Sequence, residues 1–159
     1  MKLSYIIAIL FSILLIGCEK VKDSDTVKSE HEIHHELGLL PKVMLMPATP
    51  LKAKWQLSGD RNLYALLTYS PQDYQFIIEN STPFEVVSNA KLGAVFYRDW
   101  LENEIKLDVI YHDDYDHYEI IGAHDIQPNL FTQAEYSPFV NGSVTPLGHG
   151  LILVSLYAM

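Results

Sequence analysis

The sequence has one cysteine and few cationic side chains, and both shortages limit what the chain can be. Because Cys18 has no second thiol to pair with, an internal disulfide is excluded and stability has to come from a hydrophobic core. The chain carries 11 Lys and Arg against 20 Asp and Glu, a formal net charge of -9. Binding to phosphate backbones requires clustered cations, so this balance argues against nucleic acid as a partner.

The sequence also lacks the motifs of common catalytic sites. It contains no Gly-x-Ser-x-Gly turn, no phosphate-binding loop and no dinucleotide fingerprint. Twenty acidic residues give no basis for selecting a catalytic pair of carboxylates. We therefore expect no enzyme activity, no catalytic residues and no cofactor. The 48% hydrophobic content is typical of a folded domain and not of a disordered acidic tail.

The N-terminus has the pattern of an export signal. Lys2 gives a positive start, and residues 5–16 form an apolar run interrupted only by Ser12. Because a bilayer-spanning helix needs about 20 apolar residues, this run is too short to cross a membrane but has the length of a signal-peptide core. The run ends in the sequence Leu15-Ile16-Gly17-Cys18.

This ending resembles the lipobox of bacterial lipoproteins. The resemblance covers about the first eighteen residues and implies that signal peptidase II removes residues 1–17. It also implies that Cys18 becomes the acylated first residue, so the membrane is an expected partner through the lipid. Several acyl chains hold a protein stably on a membrane, whereas one chain does so only marginally.

The residue after the lipid-bearing cysteine points to a location. Position 19 is Glu and not Asp, which by the sorting rule of enteric-type lipoproteins favours the outer membrane over the inner membrane. We therefore expect a lipid-anchored protein of the bacterial outer membrane that faces the periplasm. Residues 18–36 are polar and predict a flexible tether, and residues 37–159 predict one globular domain.

Alternation of apolar and polar residues predicts several strands in this domain. Residues 52–57 and 105–111 alternate with period two, and residues 118–121 continue the pattern after an Asp-rich turn, which predicts a hairpin over 105–121. Residues 150–157 are almost continuously apolar, as in a strand that is buried on both faces.

Two further segments are harder to assign. Residues 63–69 and 74–79 favour a second hairpin around Ser70–Asp73, although Ser70 and Pro71 also suit the start of a helix. Residues 88–104 are the best helix candidate, with Gly93 weakening it. The predicted fold is mainly β, an antiparallel two-layer sandwich with at most one helix; the alternative is α+β, one helix on an antiparallel sheet.

Two clusters contain side chains that bind metals or partners. The first lies in the predicted tether, where His31 and His35 are four residues apart, and we interpret it mainly as a solvated linker. The second spans residues 111–119. It predicts either a metal site at His112, Asp114 and His117 or a protein-binding surface formed by tyrosines and aspartates. The protein-binding residues are Tyr111, Asp114, Tyr115, Asp116 and Tyr118.

These observations support three hypotheses of different classes. The first is a non-enzymatic module that binds another envelope protein, either as an assembly factor or as an inhibitor or immunity protein. The second is a metal-binding lipoprotein that uses the His and Asp clusters. The third is an envelope hydrolase that uses His124, Asp125 or His149, which the absence of an activated nucleophile disfavours.

Overall fold

The structure is a computed structural model that describes residues 32–59, 61–135 and 137–159. The predicted signal peptide, Cys18, His31 and most of the predicted tether lie outside the described residues. The helices are α1 (Leu40–Val43), α2 (Pro71–Asn80) and α3 (Ala94–Trp100). The strands are β1 (Lys52–Ser58), β2 (Asn62–Thr68), β3 (Asn89–Gly93), β4 (Val109–His112), β5 (His117–His124), β6 (Phe139–Gly148) and β7 (Leu151–Ala158).

The strands form two antiparallel sheets. The larger sheet has the order β1-β2-β7-β6, and the smaller has the order β3-β5-β4. Strands β2 and β7 are the inner strands of the larger sheet and pair along their whole length, from Asn62 opposite Tyr157 to Thr68 opposite Leu151. This mainly β architecture with two antiparallel sheets confirms the predicted fold class.

Each face of the larger sheet covers a hydrophobic core. The first core packs one face against α1, α2 and the segment around Phe131. The second core lies between the other face, α3 and the smaller sheet. Strand β7 contributes to both cores, because Ile152 and Val154 point into the first while Leu151 and Leu153 point into the second. The prediction of a strand buried on both faces is therefore confirmed.

The predicted hairpin around Ser70–Asp73 is wrong. Strand β2 is present, but residues 71–80 form the helix α2. Ser70 caps its first turn by accepting a hydrogen bond from the Asp73 amide, and Pro71 occupies the first helical position. The alternation of Tyr74, Phe76 and Ile78 is overridden because Ile77 is the residue that α2 buries in the first core.

The predicted helix over residues 88–104 is mostly wrong. Residues 89–93 form β3, and only residues 94–100 are helical, with Gly93 at the junction. The predicted hairpin is confirmed in a narrower form, since β4 begins at Val109 and not at residue 105. With three short helices in the described residues, the prediction of at most one helix is also wrong.

The last residues of the predicted tether contact the domain. His34 and Trp55 exchange two backbone hydrogen bonds of 2.8 and 2.9 Å, and their rings stack with centroids 4.3 Å apart. The Trp55 indole Nε1 donates to the Glu36 carbonyl at 2.7 Å. These contacts attach residues 34–36 to the exposed edge of β1.

Candidate functional site

The β4–β5 hairpin presents the predicted site residues on opposite faces. Cross-strand pairs lie opposite each other, Tyr111 with Tyr118 and His112 with His117. Because successive side chains of a strand point to opposite faces, the tyrosine pair and the histidine pair lie on different sides of the smaller sheet. The structure therefore separates the residues that the sequence had grouped into one cluster.

The tyrosine pair lies on the face that covers the second core. The Tyr118 ring stacks on Tyr97 of α3 with centroids 4.2 Å apart, and the Tyr111 ring lies 5.0 Å from Tyr118. The Arg98 guanidinium is 5.9 Å from the Tyr118 ring centroid, a distance typical of a cation–π contact. Tyr118 is thus used mainly to hold the hairpin against α3.

The turn between the two strands is held at two points through Asp116. The Tyr111 hydroxyl donates to Asp116 Oδ1 at 2.9 Å, and this hydrogen bond raises the pKa of Tyr111. The Asp116 carbonyl accepts from the Ala94 amide at the start of α3, also at 2.9 Å. Tyr115 projects from this fixed turn with 79% of its surface exposed.

A shallow depression adjoins the turn. It has a volume of about 430 Å³, and its lining includes Asp116, Asp99 and the exposed end of α3. Val95 contributes an apolar side chain that is 66% exposed. We call residues 113–116 together with this depression the tip surface. It combines exposed aromatic and aliphatic side chains with several carboxylates.

The histidine pair forms part of a polar cluster on the opposite face. The rings of His112 and His117 stack with centroids 4.7 Å apart, and His112 Nε2 is 3.0 Å from Glu119 Oε2. The Asn89 amide donates to the other oxygen of Glu119 at 2.7 Å. This hydrogen bond, with a smaller contribution from His112, lowers the pKa of Glu119. Nε2 of His117 is buried and has no hydrogen-bond partner among the described residues.

This cluster is not a complete metal site. Asp114 lies in the exposed turn, whereas His112 and His117 lie on the sheet face. Within the described ranges, no group of three or more His, Cys, Asp or Glu side chains is arranged to hold a metal ion. Of the predicted metal ligands, His112 and His117 are therefore neighbours, whereas Asp114 is separate from them.

The residues considered for hydrolysis have separate surroundings. His124 Nδ1 is 3.1 Å from the Ser88 carbonyl, whereas Asp125 accepts a hydrogen bond from the Thr145 hydroxyl. His149 lies in the tight turn between β6 and β7. No contact joins these three side chains in the described part of the chain.

Sequence reasoning missed three residues that shape the site, namely Tyr97, Arg98 and Asn89. Tyr97 and Arg98 reach the hairpin from α3, and Asn89 reaches Glu119 from β3, thirty residues away along the chain. Nothing in their local sequence signals these long-range contacts.

Comparisons with family models, curated proteins and solved structures found no match to this chain. In the described residues, no helix is both long enough and apolar enough to cross a membrane.

Proposed function

We propose that this chain is a lipoprotein of the bacterial outer membrane, anchored through Cys18 and facing the periplasm, whose domain is a non-enzymatic module that binds another envelope protein. The lipobox-like ending at Cys18 supports the anchor. The contact surface is the tip surface, and its central residue is Tyr115.

The observation that carries this proposal is an exposed tyrosine on a turn that two hydrogen bonds hold. Holding the turn in place before binding reduces the ordering cost that association otherwise incurs. Tyrosine buries a large area with few rotatable bonds, and it is enriched among residues that dominate interface energies. The bonds of Asp116 to Tyr111 and Ala94 fix the turn that presents Tyr115.

The charge of the tip surface indicates what its partner presents. Asp113, Asp114 and Asp116 lie in the turn, and Asp99 lines the depression. Complementary potentials speed association and select among partners. The expected partner therefore offers a basic surface with an apolar side chain that enters the depression beside Val95.

Photo-crosslinking in intact cells tests the proposal. A benzophenone amino acid replaces Tyr115 in the full chain, and crosslinked products are identified by mass spectrometry. The matched control replaces Phe76, which is 50% exposed on α2, on the other side of the larger sheet. We expect one dominant partner at position 115 and none at position 76.

A second experiment distinguishes the loss of a binding contact from the loss of the fold. The Tyr115→Ser variant removes an exposed ring, so its unfolding free energy should change by less than about 0.5 kcal/mol. We expect it to lose the partner in co-purification. Retention of the partner by Tyr115→Ser, or equal crosslinking from both positions, would contradict the assignment of this surface.

The second candidate function is metal binding by His112 and His117, without Asp114, which the turn holds apart from them. The observation that favours it is the stacked imidazole pair beside Glu119, since His and carboxylate are common ligands of zinc, copper and nickel. Elemental analysis of the full chain after metal supplementation tests it. Stoichiometric metal that is lost in a His112→Gln, His117→Gln double variant would support this function, and the absence of metal would refute it.

A further inference from the structure

Two adjoining cavities lie on the face of the larger sheet that covers the second core. Their volumes are about 410 and about 210 Å³. They share four lining residues, Lys52, Thr68, Glu104 and Leu151. We call the combined cavity the basic groove. Its larger part falls within the usual size of small-molecule sites, about 300 to 1,000 Å³.

The charge of this groove is opposite to that of the protein. The described residues include seven Lys and Arg and fifteen Asp and Glu. Three of these seven cations, Lys52, Lys54 and Lys106, line the groove, whereas Glu104 is its one acidic lining residue. Like charges gathered in a concave surface raise the local concentration of ions of the opposite sign.

The cations of the groove are not neutralised by carboxylates within the described part of the chain. The ammonium groups of Lys52 and Lys106 have no hydrogen-bond or ion-pair partner there. Lys54 Nζ donates to the Asp99 carbonyl at 2.9 Å and lies 4.9 Å from the centroid of the Trp100 ring. These contacts hold its ammonium group in position, but neither of them is with a carboxylate. These ammonium groups remain available to an anion.

Two imidazoles add to the same lining, His35 in the larger cavity and His149 in the smaller. His149 has a φ of +52°, a backbone conformation that is uncommon for a residue with a side chain. Together with the φ of +83° at Gly150, this is the backbone geometry that a two-residue hairpin turn requires. The β6–β7 turn thus places an imidazole in the same cavity lining as Lys106.

We infer that the basic groove binds a small polyanion whose charged groups are phosphates or carboxylates. Lysine ammonium groups bind such oxyanions as point charges, and imidazole donates hydrogen bonds to them. Leu66 and Leu151 provide an apolar floor for the remainder of the ligand. This inference is independent of the tip surface and of the anchor.

Calorimetric titration of the full chain, purified in a non-ionic detergent at low salt, tests the inference. The probes are inorganic pyrophosphate and citrate, used separately. We expect saturable binding at one site. The Lys52→Gln, Lys106→Gln double variant should weaken binding by about tenfold or more, because it removes two unpaired cations.

Two further variants serve as controls, one expected to tighten binding and the other to leave it unchanged. Glu104→Gln removes the single carboxylate of the groove, so it should tighten binding several-fold, a gain that misfolding would not produce. The Lys42→Gln, Lys91→Gln double variant makes the same charge change outside the groove and should leave binding unchanged. Binding of pyrophosphate alone would identify a phosphate ligand, and binding of citrate alone a carboxylate ligand. Failure of both probes, or equal weakening by the control pair, would overturn the inference.

Discussion

At the scale of single residues, the β6–β7 turn has an unusual backbone. Gly148, His149 and Gly150 have φ angles of +78°, +52° and +83°. Glycine adopts this region without steric cost, whereas a Cβ atom is disfavoured there. A Cβ added to Gly150 would also lie 2.6 Å from the Tyr69 carbonyl oxygen, while one added to Gly148 would meet nothing within 4 Å.

This difference predicts unequal effects of alanine at the two glycines. Gly148→Ala should lower the free energy of unfolding by about 1 to 2 kcal/mol, the cost of the left-handed conformation alone. Gly150→Ala should lower it by at least about 1 kcal/mol more, because backbone has to move away from the new methyl group. Urea denaturation measures both values, and equal losses would show that the approach to Tyr69 has no energetic importance.

A second prediction at this scale concerns Glu119. Asn89→Ala removes the amide that donates to this carboxylate, so the pKa of Glu119 should rise toward its ordinary value of 4.5. Titration of the carboxyl carbon by NMR measures the change. Asn80→Ala, which alters an amide on α2, is the control and should leave the pKa of Glu119 unchanged.

The sign of the linked effect on stability follows from the direction of the shift. Because the pKa of Glu119 is lower in the folded state, its ionised form stabilises the fold above the ordinary value of 4.5. That stabilisation is lost as the pH falls through the folded-state pKa. In Asn89→Ala the acid-induced loss of stability should therefore be smaller than in the parent chain.

At the scale of secondary-structure elements, α2 depends on its first turn. Ser70 accepts from the Asp73 amide at 3.1 Å, and its hydroxyl donates to the Asp73 carboxylate at 2.7 Å. Ser70→Ala should lower the free energy of unfolding by about 1 kcal/mol, as for other N-caps. Thermal unfolding measures this loss. Ser81→Ala, at the other end of α2, is the matched control and should have a smaller effect; the reverse order would contradict the capping assignment.

The elements that sequence analysis predicts correctly are those with an unambiguous local pattern. Strand β7 is apolar on both faces because it lies between two cores, and β1 alternates because it is an edge strand with one buried face. The Asp-rich segment 113–116 is a turn, as its composition indicates. Ser70 and Pro71 also indicate the start of α2, but the period-two pattern of Tyr74, Phe76 and Ile78 favours a strand at the same place.

The elements that sequence analysis misses depend on distant partners. Residues 89–93 become a strand because they pair with β5, which begins 24 residues after β3 ends. The same limit applies to the site. Sequence analysis groups residues 111–119 into one cluster, and only the β4–β5 register shows that the tyrosine and histidine pairs lie on opposite faces. The contacts of Tyr97, Arg98 and Asn89 with this hairpin likewise depend on the packing of α3 and β3.

At the scale of the whole molecule, the two proposed binding regions differ in charge. The tip surface has several carboxylates, whereas the basic groove gathers cations from β1 and from the segment that follows α3. A chain with 20 acidic and 11 basic residues therefore has, within its described part, a positive cavity despite its negative net charge. The net charge of the chain argues against anionic ligands. The local distribution of charge nevertheless permits an anion to bind in the basic groove.

The proposed anchor predicts where the protein is found in a fractionated cell. Cys18→Ser removes the sulfur that carries the lipid, so labelling with a palmitate analogue should be lost and the signal peptide should remain uncleaved. Ser24→Ala, close to the same site, should be labelled and processed like the parent chain. Glu19→Asp should move the protein toward the inner-membrane fraction. Continued labelling of Cys18→Ser would refute the anchor.

The attachment of residues 34–36 to β1 has a mechanical consequence. If the lipid at Cys18 and a partner at the tip surface pull in opposite directions, tension enters the domain through the chain before His34. Among the described residues, the bonds nearest to the anchor are the two backbone bonds between His34 and Trp55, followed by the bond from the Trp55 indole to Glu36. These bonds belong to an edge, so they can open and close while both cores stay intact. Opening of this contact would lengthen the chain between Cys18 and the domain before tension reaches the cores.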